Sequence, residues 1–265
     1  MTDALSPSAP EAALPDGAIP AATLVIMRPS DNDGPDKILM VKRSANMAFA
    51  AGAVVFPGGR VDPDDHEVAR RYAADIDPAD GAARVAALRE TLEETGLAVG
   101  WPGLAAEESA AVRRALLGGT LLSDILAARD ERIALESLVP FARWCPNFKE
   151  ARTFDTRFYA VAAPPHSHEL TVEEAEHSHI FWASAAATLA MADAGEVSVI
   201  FPTRRNLERL AQAPDFPGFA AHSCEYPVEL ITPWIEDRDG RTHLCIPDHL
   251  GYPVTSEAFD RVRRG

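Results

Sequence analysis

The chain has 265 residues, of which 47% are hydrophobic and 25% are charged, as in an ordinary globular protein. A formal net charge of -15 excludes a surface built mainly to bind nucleic acid, because binding to the phosphate backbone needs a basic face. No apolar run approaches the ~20 residues of a transmembrane helix, and the first residues lack the pattern of a signal peptide. We therefore expect a cytoplasmic protein with no membrane partner.

The first elements predicted along the chain are strands. Residues 1–19 are rich in proline and lack a periodic apolar pattern, which predicts a flexible tail. The apolar runs Ala21–Met27 and Lys37–Val41 are typical of strands, and the turn residues between them predict a hairpin. Gly52–Phe56 predicts a third short strand, which the glycines after Pro57 end.

Helices are predicted next, after a polar, acidic stretch at residues 60–81. The segment Ala82–Thr95 predicts a helix because its apolar residues recur at helical spacing, and Gly96 is typical of the position after a helix end. Glu107–Leu117 and Leu121–Arg129 predict two more helices.

The remaining chain alternates irregularly between strands and helices. The predicted strands are Leu138–Trp144, Asp155–Ala162 and His177–Trp182, and the predicted helices are a Ser184-capped segment up to Ala194 and Thr203–Ala211. Val228–Ile235 and Thr242–Ile246 predict a hairpin around Asp239-Gly240. This pattern favours a mixed sheet with helices on its faces over a doubly wound parallel sheet.

Three glutamates on the helix Ala82–Thr95 carry the chemical signal. Glu90, Glu93 and Glu94 stand at i, i+3 and i+4, so their carboxylates share one helix face, which we call the acidic face. Charged residues at this spacing often form only a solvated surface. Arg89, four residues before Glu93, could orient Glu93 by a bidentate contact. Phe56-Pro57-Gly58-Gly59 upstream favours another interpretation, because glycines at a strand end let backbone approach a phosphate or a metal ion closely.

These residues resemble the Nudix signature, G-x5-E-x7-R-E-U-x-E-E-x-G-U, in which U is aliphatic. The matching residues are Gly59, Arg89, Glu90, Glu93, Glu94, Gly96 and Leu97. Three departures stand out: Asp65 occupies the place of the first glutamate, Thr91 replaces an aliphatic residue, and Gly59 and Arg89 lie 30 positions apart instead of 14. A loop before the helix would absorb those 16 extra residues at small cost.

The segment before this box is similar to that of the Nudix coenzyme A diphosphatases, in which an Arg-Ser pair and a later glycine precede Phe-Pro-Gly-Gly. Arg43, Ser44 and Gly52 fit that spacing, whereas Ala48 stands where the commoner bacterial version has arginine. The layout, which includes the segment 152–158, resembles the mammalian organellar branch and its bacterial relatives. The resemblance covers residues 19–252.

The resemblance implies an α/β protein, a Nudix-type α/β/α sandwich with a central mixed β-sheet and a helical insertion. One domain would span residues 20–253, with insertions at about 66–81 and 100–135 and a C-terminal tail at 254–265. The later insertion could be a cap over the fold or a contact in a homodimer.

The resemblance also implies residue roles in a metal-dependent hydrolase. The acidic face, with the Gly58 backbone, would hold Mg²⁺ or Mn²⁺, Arg89 would assist, and Glu176 would be the general base. The residues expected to contact substrate are Arg43, Ser44, Gly59, Arg60 and Arg152. The expected reaction cleaves a nucleoside diphosphate linked to another moiety, such as coenzyme A. Hydrolysis of NADH or ADP-ribose, and a non-catalytic binding or regulatory module, are the alternatives.

Overall fold

The computed structural model describes residues 14–43, 52–146, 152–165, 167, 179–238 and 240–262. The strands are β1 Ile19–Arg28, β2 Lys37–Lys42, β3 Val54–Val55, β4 Gly58–Arg60, β5 Val139–Trp144, β6 Phe154–Ala162, β7 His179–Ala183, β8 Leu230–Ile231, β9 Trp234–Arg238, β10 Arg241–Cys245 and β11 Ser256–Ala258. The helices are α1 Pro63–Tyr72, α2 Pro78–Thr95, α3 Ala106–Leu117, α4 Leu122–Arg129, α5 Ala185–Asp193, α6 Phe201–Leu210, α7 Phe216–Cys224 and α8 Phe259–Val262, with a 3-10 turn at Leu135–Ser137.

Strand β1 organises the main sheet. One of its edges pairs in parallel with β6 from Ile19↔Phe154 to Met27↔Ala162. Its other edge pairs antiparallel with β4 near its start and with β2 near its end, which confirms the predicted hairpin. The sheet has eight strands, with the order β3-β2-β1-β6-β5-β8 and with β4 and β7 attached to β1 and β2. The predicted mixed sheet is confirmed.

Helices cover both faces of this sheet. Alternate residues of β1 enter two separate apolar cores: Leu24 and Ile26 pack with α1 to α4, whereas Val25 and Met27 pack with α6 and α7. This arrangement confirms the α/β/α sandwich. None of the helices in the described part of the chain is long and apolar enough to cross a membrane.

The acidic stretch at residues 60–81 was predicted to be a loop, but it contains helix α1. Asp62 caps α1, Pro63 stands at its first turn, and the Asp62 main-chain N–H donates to Asp65 Oδ2 at 2.8 Å. Helix α2 then begins at Pro78, capped by Asp77, four residues earlier than predicted. The apolar signal of α1 was weak because Val68 and Ala69 supply most of its buried side.

The C-terminal part also differs from the predicted one. Strand β8 pairs in parallel with β5 in the main sheet, while β9 and β10 form the predicted hairpin in a separate three-stranded sheet. The third strand of that sheet, β11, lies in the segment that was predicted to be a tail, because its backbone pairs with β10. Helix α7 was not predicted.

The segment predicted to be a helical insertion, residues 100–135, contributes directly to one of the two cores. Leu116, Leu122 and Leu126 pack in the same apolar cluster as Leu88 and Leu92 of α2. Burial of these leucines makes the insertion part of the domain's hydrophobic core, so it should unfold together with the sheet.

Truncation of a buried leucine of the insertion tests this integration. Leu126 is fully buried, and Leu126→Ala is expected to lower the free energy of unfolding by about 2–5 kcal/mol in one urea transition. Leu117 is 62% exposed, so Leu117→Ala should change it by less than about 0.5 kcal/mol. Two separate transitions would show instead that the insertion unfolds independently.

Candidate functional site

The acidic face lies against the glycine strand β4. Helix α2 packs on β1 and β4, and the Gly58 main-chain N–H donates to Glu94 Oε2 at 3.1 Å. A Cβ atom on Gly58 would overlap the main-chain O of Ala22, so β4 can approach β1 this closely only with glycine there, and a Cβ atom on Gly59 would displace the Glu90 carboxylate. The predicted meeting of glycine turn and carboxylate helix is therefore present.

Arg89 uses all five of its N–H groups within this site. Its Nε and Nη2 donate to the two oxygens of Asp65 at 2.9 Å each. Its Nη1 donates to Glu90 Oε1 at 3.0 Å and to Glu93 Oε1 at 3.2 Å. Its second Nη2 hydrogen reaches the main-chain O of Arg60 at 2.9 Å. With no donor left over, Arg89 positions other groups and has none free for a substrate.

The bidentate partner of Arg89 is Asp65 and not Glu93, which corrects our expectation. The Asp65 side chain is fully buried, and both of its oxygens accept hydrogen bonds from Arg89. Asp65, at the place of the signature's first glutamate, thus anchors the guanidinium that holds Glu90 and Glu93. Burial opposes the charge of Arg89, but the hydrogen bonds and charge of Asp65 outweigh it and raise the pKa of Arg89 above its ordinary value.

Negative charge in the site exceeds what its arginines neutralise. Burial, reinforced by the charges of Glu90 and Glu93, raises the pKa of Glu94 to about 7. Burial also raises the pKa of Glu90, against the opposing charge of Arg89. In the metal-free protein these carboxylates therefore hold protons more tightly than exposed glutamates do.

The donor chemistry of this site fits a hard divalent cation. It offers carboxylate oxygens with uncompensated charge, which Mg²⁺ prefers, and Mg²⁺ keeps several waters and so needs few protein ligands. Across the described ranges, no set of three or more acidic, histidine or cysteine side chains is already gathered as a metal cage. Hydrogen bonds from Arg89 to Glu90 and Glu93, and from Gly58 to Glu94, account for that arrangement.

The structure brings two of the predicted substrate residues, Gly59 and Arg43, to the acidic face. Arg43, just after β2, lies close enough for its positive charge to oppose the raised pKa of Glu94. Arg60 ends β4 with an exposed side chain, and Arg152 is exposed just before β6. Arg60 and Arg152 flank opposite edges of the first residues of β1. Ser44 and Glu176 lie outside the described residues.

Sequence reasoning missed one contact on the acidic helix. Arg113 of α3 donates from Nε to the main-chain O of Glu93 at 2.8 Å. No local pattern signals it, because the two residues are 20 positions apart and meet only when the insertion packs on α2.

Comparisons with known proteins agree with this geometry. The NUDIX domain family matches residues 19–114. The crystal structure of a NUDIX hydrolase from Alicyclobacillus acidocaldarius is similar, with 32% sequence identity and a TM-score of 0.66, over 77% of this chain and 96% of that one. The chain belongs to the Nudix hydrolase family. Family membership supports hydrolysis of the diphosphate bond in nucleoside diphosphate derivatives, and Nudix hydrolases generally use divalent metal ions.

A more distant structural neighbour shares 16% sequence identity with this chain. It is the NUDIX domain of Shewanella oneidensis NrtR in complex with ADP ribose, with a TM-score of 0.41, over 80% of this chain and 97% of that one. No curated protein matches the sequence.

Removal of the Asp65 charge should destabilise this Nudix hydrolase. Asp65→Asn leaves the buried Arg89 guanidinium with one neutral acceptor in place of a carboxylate, so the free energy of unfolding should fall by about 3 kcal/mol. Denaturant unfolding measures the change, and Glu67→Gln on the same helix is the comparison, because Glu67 is exposed and pairs with Arg70 at the surface. An unchanged midpoint for Asp65→Asn would contradict the anchoring role.

The raised pKa of Glu94 predicts a pH-dependent cost in the metal-free protein. The ordinary pKa of a glutamate is 4.5. Below about pH 4.5, Glu94 is protonated in both the folded and the unfolded chain, so its burial does not lower the free energy of unfolding. From there to about pH 7 only the unfolded chain loses the proton, so stability falls, and above pH 7 the loss is constant.

Because glutamine cannot ionise, Glu94→Gln should stabilise the EDTA-treated protein at pH 8 by about 3 kcal/mol and at pH 4.5 hardly at all. Thermal unfolding at both pH values measures this difference. Glu107→Gln, at an exposed position of α3, serves as the control. A gain that is equal at the two pH values would rule out this cause.

Proposed function

We propose that the chain hydrolyses the diphosphate bond of coenzyme A or acyl-coenzyme A and releases 3′,5′-ADP and (acyl-)4′-phosphopantetheine. The observation that carries a diphosphate substrate is the glycine strand lying directly on the acidic face. The preference for coenzyme A is supported by the spacing of Arg43, Ser44 and Gly52 before that strand, which resembles coenzyme A diphosphatases.

In this proposal the acidic face and the Gly58 main chain hold Mg²⁺ or Mn²⁺. The bound ion supplies neutralisation of the charge that develops on the diphosphate oxygens during hydrolysis. Arg89 keeps Glu90 and Glu93 in place, because all of its N–H groups are engaged within the site. Glu94, in the last turn of α2, is held against β4 by the hydrogen bond from the Gly58 main-chain N–H.

The substrate contacts follow from charge and access. Arg43 combines a guanidinium beside Glu94 with a buried Nε that has no hydrogen-bond partner among the described residues, so this one N–H can donate to a phosphate of the substrate. Gly59, having no side chain, lets the Glu90 carboxylate lie against β4 beside the proposed diphosphate site, and the exposed Arg60 and Arg152 are candidates for outer phosphate contacts. Glu176 remains the proposed general base, and a pH–rate profile unchanged in Glu176→Gln would dismiss that role.

The decisive test compares products from coenzyme A, acetyl-coenzyme A, NADH and ADP-ribose in the presence of Mg²⁺ or Mn²⁺. We expect kcat/KM for the coenzyme A substrates to exceed that of the others at least ~10-fold, which equals about 1.4 kcal/mol of preferential binding in the transition state. Mass spectrometry should identify 3′,5′-ADP as a product. Preference for NADH or ADP-ribose would reject coenzyme A while leaving the hydrolase assignment intact.

Glu93→Gln is the matched control for this panel, since it removes a charge without changing side-chain size. Its turnover should fall by at least ~100-fold on every substrate, with folding confirmed by circular dichroism. A folded Glu93→Gln protein with full activity would contradict the role of the acidic face.

A further inference from the structure

The last turn of α2 leaves the Glu93 carbonyl without its helical partner. Gly96 adopts a left-handed conformation with φ of 76° and ends the helix, so the N–H of Leu97 does not continue the ladder. That N–H donates instead to the Thr95 side chain at 3.1 Å. The Arg113 Nε–H donates to the Glu93 main-chain O at 2.8 Å in place of that N–H.

The Arg113 side chain also lies across the helix end. A Cβ atom on Gly96 would touch Arg113 Cδ at 3.7 Å, which is ordinary van der Waals contact. A positive charge at this end interacts favourably with the helix dipole. Arg113 thus fixes, through the backbone, a residue whose side chain belongs to the acidic face.

A second contact joins the helical insertion to α1, the helix that carries Asp65. Helix α4 has no side-chain cap of its own, and Asp64 of α1 accepts from the main-chain N–H of Ser123 at 3.0 Å. The Ser123 hydroxyl also donates to Asp64. The next residue, Asp65, holds Arg89, so this contact stabilises the turn from which the guanidinium is anchored.

We propose that the helical insertion is a positioning element for the acidic face, with Arg113 as its principal positioning residue. Two hydrogen-bonded contacts act on two different helices of the site: Arg113 donates to Glu93 on α2, and Ser123 donates to Asp64 on α1. Through them the insertion keeps the three carboxylates in register with β4. This inference rests on the proposed metal-dependent hydrolysis.

The test replaces Arg113 with two residues of matched length. Glutamine places an N–H donor, and methionine a methyl group, at the position of the arginine Nε. Arg114→Met is the control, because Arg114 is exposed on the same helix and adjacent in sequence. Three experiments compare the variants. Electron paramagnetic resonance measures the Mn²⁺ affinity of the metal-free protein, hydrogen exchange follows the amides of residues 93–97, and steady-state kinetics with coenzyme A give kcat and KM.

Arg113→Met should weaken Mn²⁺ binding and lower kcat by ~10-fold each, with KM changed less than about twofold, because it loosens a ligand without touching substrate. Amide exchange at the end of α2 should rise. Arg113→Gln should recover most of the loss, and Arg114→Met should match the wild type.

Equal Mn²⁺ affinity in wild type and Arg113→Met overturns the proposal, even when the melting temperature falls. Should Arg113→Met not fold, Ser123→Ala decides by the same readouts, with a loss of affinity of about threefold expected and no loss overturning the proposal. A wild type that neither binds Mn²⁺ nor hydrolyses the panel rejects the proposed function, and the positioning role with it. An active wild type matched by Arg113→Met rejects the positioning role alone.

Discussion

The buried guanidinium of Arg89 is the interaction on which the site depends. It meets Asp65, Glu90 and Glu93 at once, and each of its N–H groups has an acceptor. A buried arginine without such acceptors would carry a large desolvation penalty, so the ion pair with Asp65 must form whenever α1 and α2 pack. Formation of the fold and assembly of the acidic face are therefore one event.

Burial that gives the site its geometry also concentrates negative charge. Glu94 is drawn against the Gly58 amide, where desolvation and its two neighbouring glutamates raise its pKa. Such a site is destabilising for the metal-free chain and attractive to a divalent cation, because the cation removes the repulsion that folding creates. The large apolar core on the same side of the sheet supplies the stability that offsets this cost.

The two inserted segments turn out to be structural supports. Residues 60–81 contain α1, which brings Asp65 to Arg89, and the helical insertion adds buried leucines to the core that packs on α2. Both segments leave the signature residues of α2 in place, because they pack on its apolar side and on its C-terminal end.

The amino-acid sequence by itself determined the longer strands of the main sheet, the helix of the acidic face and the position of the glycines before it, because these depend on local periodicity and on residue types at short spacing. It also indicated the family. Only the tertiary structure decided that Arg89 pairs with Asp65, that residues 63–72 form a helix, and that Arg113 reaches Glu93. These contacts join residues about 20 or more positions apart, and their partners are selected by packing, which no local pattern encodes.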